Sequence, residues 1–213
     1  MTKFDYSYLA DAIENGKPRV HATGFAQLYL RPDVRLHVWT DALFRHAPDQ
    51  SQIAFYHDHR YGIVSHVLRG AIMDSPAIPC DTNGSNGGPG DWSIWEVRPA
   101  GEGQPDKPHR GKKVEDNELE VRLPPPRLIK AGDGYHIPKR TFHATRALGT
   151  TVTLMRKLNE EPAWARLLVP KGFDPVHSLV TQPPIDFVRY EMLEALGALS
   201  NAKIAAAAMD LGL

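Results

Sequence analysis

The chain has 213 residues, 42% of them hydrophobic and 23% charged, enough to bury one sizeable core, so a single domain over 1–213 is expected. Lys plus Arg and Asp plus Glu balance at 25 each, which leaves no cationic excess for phosphate-driven binding and argues against a nucleic-acid partner. The one cysteine, Cys80, excludes an intrachain disulfide and any multi-cysteine metal cluster, and leaves ten histidines as the metal-ligand candidates.

No apolar run reaches the roughly 18 residues of a membrane span. The opening MTKFDYSYLADAIENG lacks the charged-then-apolar layout of a secretory signal. A cytoplasmic protein with no membrane contact is therefore expected.

In chain order, Leu9, Ala12 and Ile13 fall at helical spacing between Asp5, a ready N-cap, and Gly16, a stop, which predicts a short helix over 6–15. From Phe25 the period changes to two. FAQLYL, VRLHVWT, IAFYHDH and IVSHVLRGAIM read as strands separated by turn residues. Residues 76–126 are rich in Gly, Pro and charge and read as a long inserted excursion carrying the strand-like runs WSIWEV and LEVRL. Strands resume in RLIKAGDGYHIP, TFHATR and TVTLMRKL. Val188, Met192, Leu196 and Leu199, with KIAAAAM after them and no proline, predict one C-terminal helix over about 186–210, packed on the outside of the sheet or at a dimer contact. Many short strands with helices only at the ends describe a mainly β fold, a barrel or double-sheet jelly roll with its core over about 25–180.

His57 and His59 lie two apart in a strand pattern, so they share one face of the sheet while Asp58 points away. Two imidazoles on one face can grip one metal. His143, placed after the Pro138 turn, is the candidate third ligand from a neighbouring strand. Three neutral nitrogens suit Fe, Zn, Cu or Ni and leave coordination positions open for water, O2 or substrate.

HDH followed by Gly70, then GDGYHIPKRTFH, resembles the two sequence motifs of the cupin family. Ile63 stands where many cupins carry a ligating glutamate, so the resemblance implies a three-histidine site. Within the cupins, HDHRYGIVSHVLRGA is similar to a segment of the thiol dioxygenases of the 3-mercaptopropionate branch, and FAQLYL with VRLHVWT is laid out similarly upstream. The resemblance implies a cupin β-barrel, Fe(II) as cofactor, O2 and a small carboxylate-bearing molecule (for that branch a thiol) as substrates, and a homodimer, the family habit. It also places Gln27 near the substrate carboxylate. The chain departs from that branch on the strand TVTLMRKL, where Thr151 or Thr153 can stand for the serine of its Ser-His-Tyr set but no histidine or tyrosine follows.

Arg60 and Tyr61 follow the ligand pair directly and are the candidate catalytic residues, able to reach a substrate carboxylate. Arg35 and His37 share a strand face with Trp39 and, with Gln27, are the candidate substrate-binding residues. The other face of that strand, Val34, Leu36 and Val38, competes for the barrel interior. His66 is out of register with the ligand pair and is expected outside, His136 in a supporting role, and Cys80 inert. Trp92 and Trp95 read either as a hairpin edge or as a lid. The leading expectation is an Fe(II), O2-dependent oxygenase. A lyase, isomerase or hydrolase using the metal as Lewis acid, and a ligand-binding cupin without turnover, are the alternatives.

Overall fold

The computed structural model describes residues 4–21, 23–46, 56–80, 92–97, 111–114, 119–172 and 182–213. It is mainly β, its strands arranged in two sheets, with helices at both ends. Helix α1 (Tyr6–Asn15) starts where the Asp5 side chain accepts from the Tyr8 N–H at 3.0 Å and ends at Gly16, and it buries Leu9 and Ile13. Strands β1 (Arg19–Val20), β2 (Ala26–Arg31) and β3 (Val34–Trp39) precede a one-turn helix α2 (Asp41–Phe44).

Strand β4 (Tyr56–His57) is followed by β5 (Gly62–Arg69) and β6 (Ala71–Cys80), which turn into each other at Gly70 with φ +74°. The inserted region contributes β7 (Trp92–Val97), β8 (Gly111–Lys113) and β9 (Glu120–Arg122); its glycine-rich stretch lies outside the described residues. Then come β10 (Arg127–Lys130), β11 (Gly134–Ile137), β12 (Phe142–Ala147), β13 (Thr151–Leu158) and β14 (Ala165–Pro170).

The strands form two antiparallel sheets. One has the order β1-β2-β3-β13-β5-β11; the other runs β10-β6-β12-β4-β14-β7-β8, with β9 paired to β6. Their inner faces meet where Val67 of the first packs with Ile72 and Ile129 of the second. WSIWEV is no free hairpin edge: β7 pairs with β8 on one side and with β14 on the other, and Trp95 lies in one cross-strand row with Leu167 and His57.

The C-terminal segment differs from the single helix expected over 186–210. It forms α3 (Ile185–Leu196) and α4 (Asn201–Asp210). Gly197 ends the first helix, and Ser200 takes extended backbone (φ −91°, ψ 148°) as N-cap of the second. The break drops Leu199 into the core, and Arg69 donates to the Ala195 carbonyl at 2.8 Å, satisfying an orphan acceptor at the end of α3.

These helices decide which side of β3 is which. Val34, Leu36 and Val38, with Leu28, Leu68, Val152 and Leu154, pack beneath Leu9, Ile13, Val188, Met192, Leu196 and Ile204 of α1, α3 and α4. The apolar face of the six-stranded sheet is thus its outer face, covered by helices. Arg35, His37 and Trp39 are left on the inner face. Among the described residues no helix is long and apolar enough to cross a membrane.

Candidate metal centre

Two antiparallel pairings fix the centre of the predicted site. His57 ends β4 and is in register with His143 of β12 on one side and Leu167 of β14 on the other. The strand ends there, so His59 sits just past it, yet both histidines still converge. The ligand nitrogens of His57, His59 and His143 all lie within 4.8 Å of one another, and His59 Nε2 is 3.2 Å from His143 Nε2. Two nitrogens at about 2.0–2.1 Å from one ion stand about 2.8–3.4 Å apart when bound cis or tetrahedrally. The 3.2 Å pair already meets that spacing.

The donor set is chemically ready for a cation. Burial, reinforced by His57, His143, Arg35 and His21, holds the His59 pKa well below its ordinary value, so its imidazole is neutral. His143 is buried, and its Nδ1 lies 2.9 Å from Asp74 Oδ1. Arg127 grips the other oxygen of Asp74. Burial pushes the Asp74 pKa up, but the bonds from His143 and Arg127 outweigh it, and the net shift is downward. The other ring nitrogen of His143, Nε2, is the one that faces His59.

Asp58 does point away, into a buried ion network. It accepts from the Arg166 N–H at 2.6 Å and from Arg166 Nε at 2.7 Å, and Arg140 lies 3.6 Å off. The Arg140 N–H in turn donates to the His59 carbonyl at 2.9 Å. The ligand segment is therefore held from behind by two arginines, Arg166 of β14 and Arg140 of the turn before β12.

The other predicted residues divide. The buried Tyr61 ring stacks on His59 at 5.2 Å and 26°, and the Tyr61 hydroxyl accepts from Arg35 Nη1 at 3.0 Å. Arg35 lies between the rings of Tyr29 and Tyr61, at 4.4 and 5.4 Å, and its charge reaches His59. His37 is next along the inner face, packed on Phe25 at 4.8 Å. Burial and then Arg35 lower its pKa to about 3, and its Nε2 has no partner. Gln27 faces His37 across the β2–β3 ladder and accepts from the Arg19 guanidinium at 2.7 and 3.0 Å once its amide is turned to suit. Arg60 is instead committed to a surface ion pair, 2.7 Å from Glu160.

On β13, Thr153 pairs with His37 and Met155 with Arg35, so the strand that lacks an imidazole and a phenol does face inward. His66 lies on the helix side, 3.4 Å from Asp210, and His136 is exposed on β11.

Sequence reasoning missed Asp74 and His21. Asp74 carries a legible signal, a lone carboxylate inside the apolar run AIMDSP. His21 stacks on Phe25 at 4.7 Å and is depressed first by burial and then by His57. It lies in a stretch with no periodic pattern, so nothing in the sequence marked it.

No family model matches the chain, and neither does any curated protein. Among solved structures the chain is similar to a hydroquinone 1,2-dioxygenase from Sphingomonas sp. TTNP3 with 4-hydroxybenzoate bound, at 10% identity over 62% of each chain, with TM-score 0.30. It thus spans 62% of that chain's length. A second is hydroquinone 1,2-dioxygenase PnpCD in complex with Cd2+ and 4-hydroxybenzonitrile, at 11% identity over 76% of this chain and 80% of that one, with TM-score 0.31. At that distance a likeness identifies neither family nor chemistry, and both rest on this chain's own residues.

Proposed function

We propose that the protein is a metal-dependent, cupin-type oxygenase of a small carboxylate-bearing molecule, with His57, His59 and His143 holding one divalent ion, Fe(II) by preference. The observation that carries the reading is the convergence of three imidazole nitrogens within 4.8 Å, two from the segment 57–59 and one from β12. Bound Fe(II) would supply one-electron chemistry with O2, for which an all-histidine site with open positions is suited.

The chain's own residues do the rest. Arg35 is the cation for a substrate carboxylate: it is fixed by Tyr29 and Tyr61 and has a buried Nε without a partner. Burial raises the Tyr61 pKa against the opposing charge of Arg35, so its phenol keeps its proton at Oη beside His59. Tyr61 comes from the bend just before β5 rather than from β13, and it offers a phenol that the strand TVTLMRKL lacks. Gln27 and His37 extend the same wall and orient the polar remainder of the substrate. Arg60, paired to Glu160, has no part in this arrangement unless that pair opens. A thiol substrate remains the finer form of the reading, on the resemblance of HDHRYGIVSHVLRGA.

The inward-facing Met155 favours the second reading, metal as Lewis acid, because it stands where a redox proton network would be. The test is O2 consumption by protein loaded anaerobically with Fe(II), with 3-mercaptopropionate, cysteine and cysteamine supplied in turn. Substrate-stimulated uptake is expected. Turnover that survives anaerobiosis and replacement by Zn(II) would overturn the oxygenase in favour of the Lewis acid.

A further inference from the structure

Asp74, Thr145 and Arg127 lie in one row across β10, β6 and β12, two residues along from His143. The Asp74 side chain is 1% exposed, and its two oxygens have different duties. Oδ1 faces His143 Nδ1 at 2.9 Å, and Oδ2 takes the Arg127 guanidinium. A guanidinium has donors only, and an ionised carboxylate has acceptors only. The hydrogen-bond pattern therefore runs one way, from Arg127 into Asp74 and from His143 into Asp74.

We propose that Asp74 is a positioning residue that fixes His143 in its Nδ1–H tautomer, and that Arg127 locks the direction of this relay. The inference rests on the three-histidine reading above and says which residues make His143 able to ligate. With the proton held at Nδ1, the Nε2 that faces His59 at 3.2 Å carries the lone pair. The opposite tautomer would place a proton at Nε2 and remove one of the three donors.

Asparagine at position 74 separates this from mere packing, because it keeps the shape and breaks the symmetry of the two oxygens. Arg127 demands the amide oxygen, a charge-assisted bond being the stronger one. The amide NH2 must then point at His143 Nδ1 and donate to it. His143 is forced to accept there and moves its proton to Nε2. Removing Arg127 in the same chain lets the amide turn its oxygen back to His143, so the second substitution repairs the first.

The experiment is a long-range proton–nitrogen correlation of the histidine rings in metal-free protein, with Co(II) titration of the same samples. The wild type should show Nδ1–H on His143. Asp74→Asn should show Nε2–H and bind Co(II) about 10–100-fold more weakly, the usual cost of losing such a partner. Asp74→Asn with Arg127→Leu should return His143 to Nδ1–H and recover most of the affinity.

A wild-type His143 protonated at Nε2 would overturn the inference, and that result needs no variant to fold. So would an Asp74→Asn variant that binds Co(II) like the wild type, or a double variant no better than the single one, which is what a purely structural role gives. A wild type with Nδ1–H that takes up no Co(II) would overturn the metal reading beneath it, an outcome distinct from a failed tautomer.

Discussion

His59 and His143, separated by 84 residues of sequence, meet nitrogen to nitrogen at 3.2 Å across the mouth of two antiparallel ladders. Neither strand pairing alone makes this contact. His143 is set by its register with His57, and His59 by the loop that Arg140 and Arg166 tie down.

That tie makes Asp58 a stability residue. It is fully buried, and removing it takes the acceptor from the Arg166 guanidinium and from the Arg166 backbone N–H, while Arg140 keeps Glu161 and the Trp164 carbonyl. Breaking one partner of a buried ion network costs about 3–5 kcal/mol. Asp58→Ala should lower the stability of the metal-free protein by that order in urea unfolding. A loss under 1 kcal/mol would show the network to be dispensable.

The inner wall predicts a pH dependence. His37 has its folded pKa lowered to about 3 from 6.5, so between those values the unfolded chain binds a proton that the folded one refuses. Stability from this residue is complete above about pH 6.5 and declines as pH falls, by about 1.4 kcal/mol per pH unit. His21 and His59 act in the same direction. His37→Phe should therefore flatten the fall in urea stability between pH 4 and 6 by about one proton. An unchanged slope would mean that His37 is protonated in the folded state.

Much of this was legible in the sequence, for identifiable reasons. His57 and His59 could be read because two apart on an extended chain means one face. His143 could be read because the Pro138 turn sets the next strand. The inner and outer faces of β3 could not be assigned: Val34, Leu36 and Val38 face outward only because α3 and α4, some 150 residues later, cover them. Strand β14 was missed since ARLLVP lacks a period of two, yet it carries Arg166, the partner that makes sense of Asp58. Arg60 was named for its place beside the ligands, but Glu160, which holds it, comes from a distant loop.

Gly70, the glycine of the first motif, is required by backbone and by space. It has φ +74°, and an added Cβ would lie 2.4 Å from the Thr150 carbonyl oxygen and 2.5 Å from Thr151 Oγ1. Gly70→Ala should cost at least about 1–3 kcal/mol from the backbone alone. Thermal unfolding of the metal-free protein measures it. A variant as stable as the wild type would mean that the β5–β6 turn takes another shape.

Whether His57, His59 and His143 jointly hold one ion is read from metal content after anaerobic Fe(II) loading and gel filtration. The wild type should retain about one iron per chain, stabilised by about 2.7 kcal/mol at a hundredfold excess over Kd. His57→Ala, His59→Ala and His143→Ala should each retain essentially none while staying folded, whereas His66→Ala, whose ring faces Asp210 on the helix side, should match the wild type. A wild type without metal, or a folded His143→Ala variant with a full equivalent, would contradict the account.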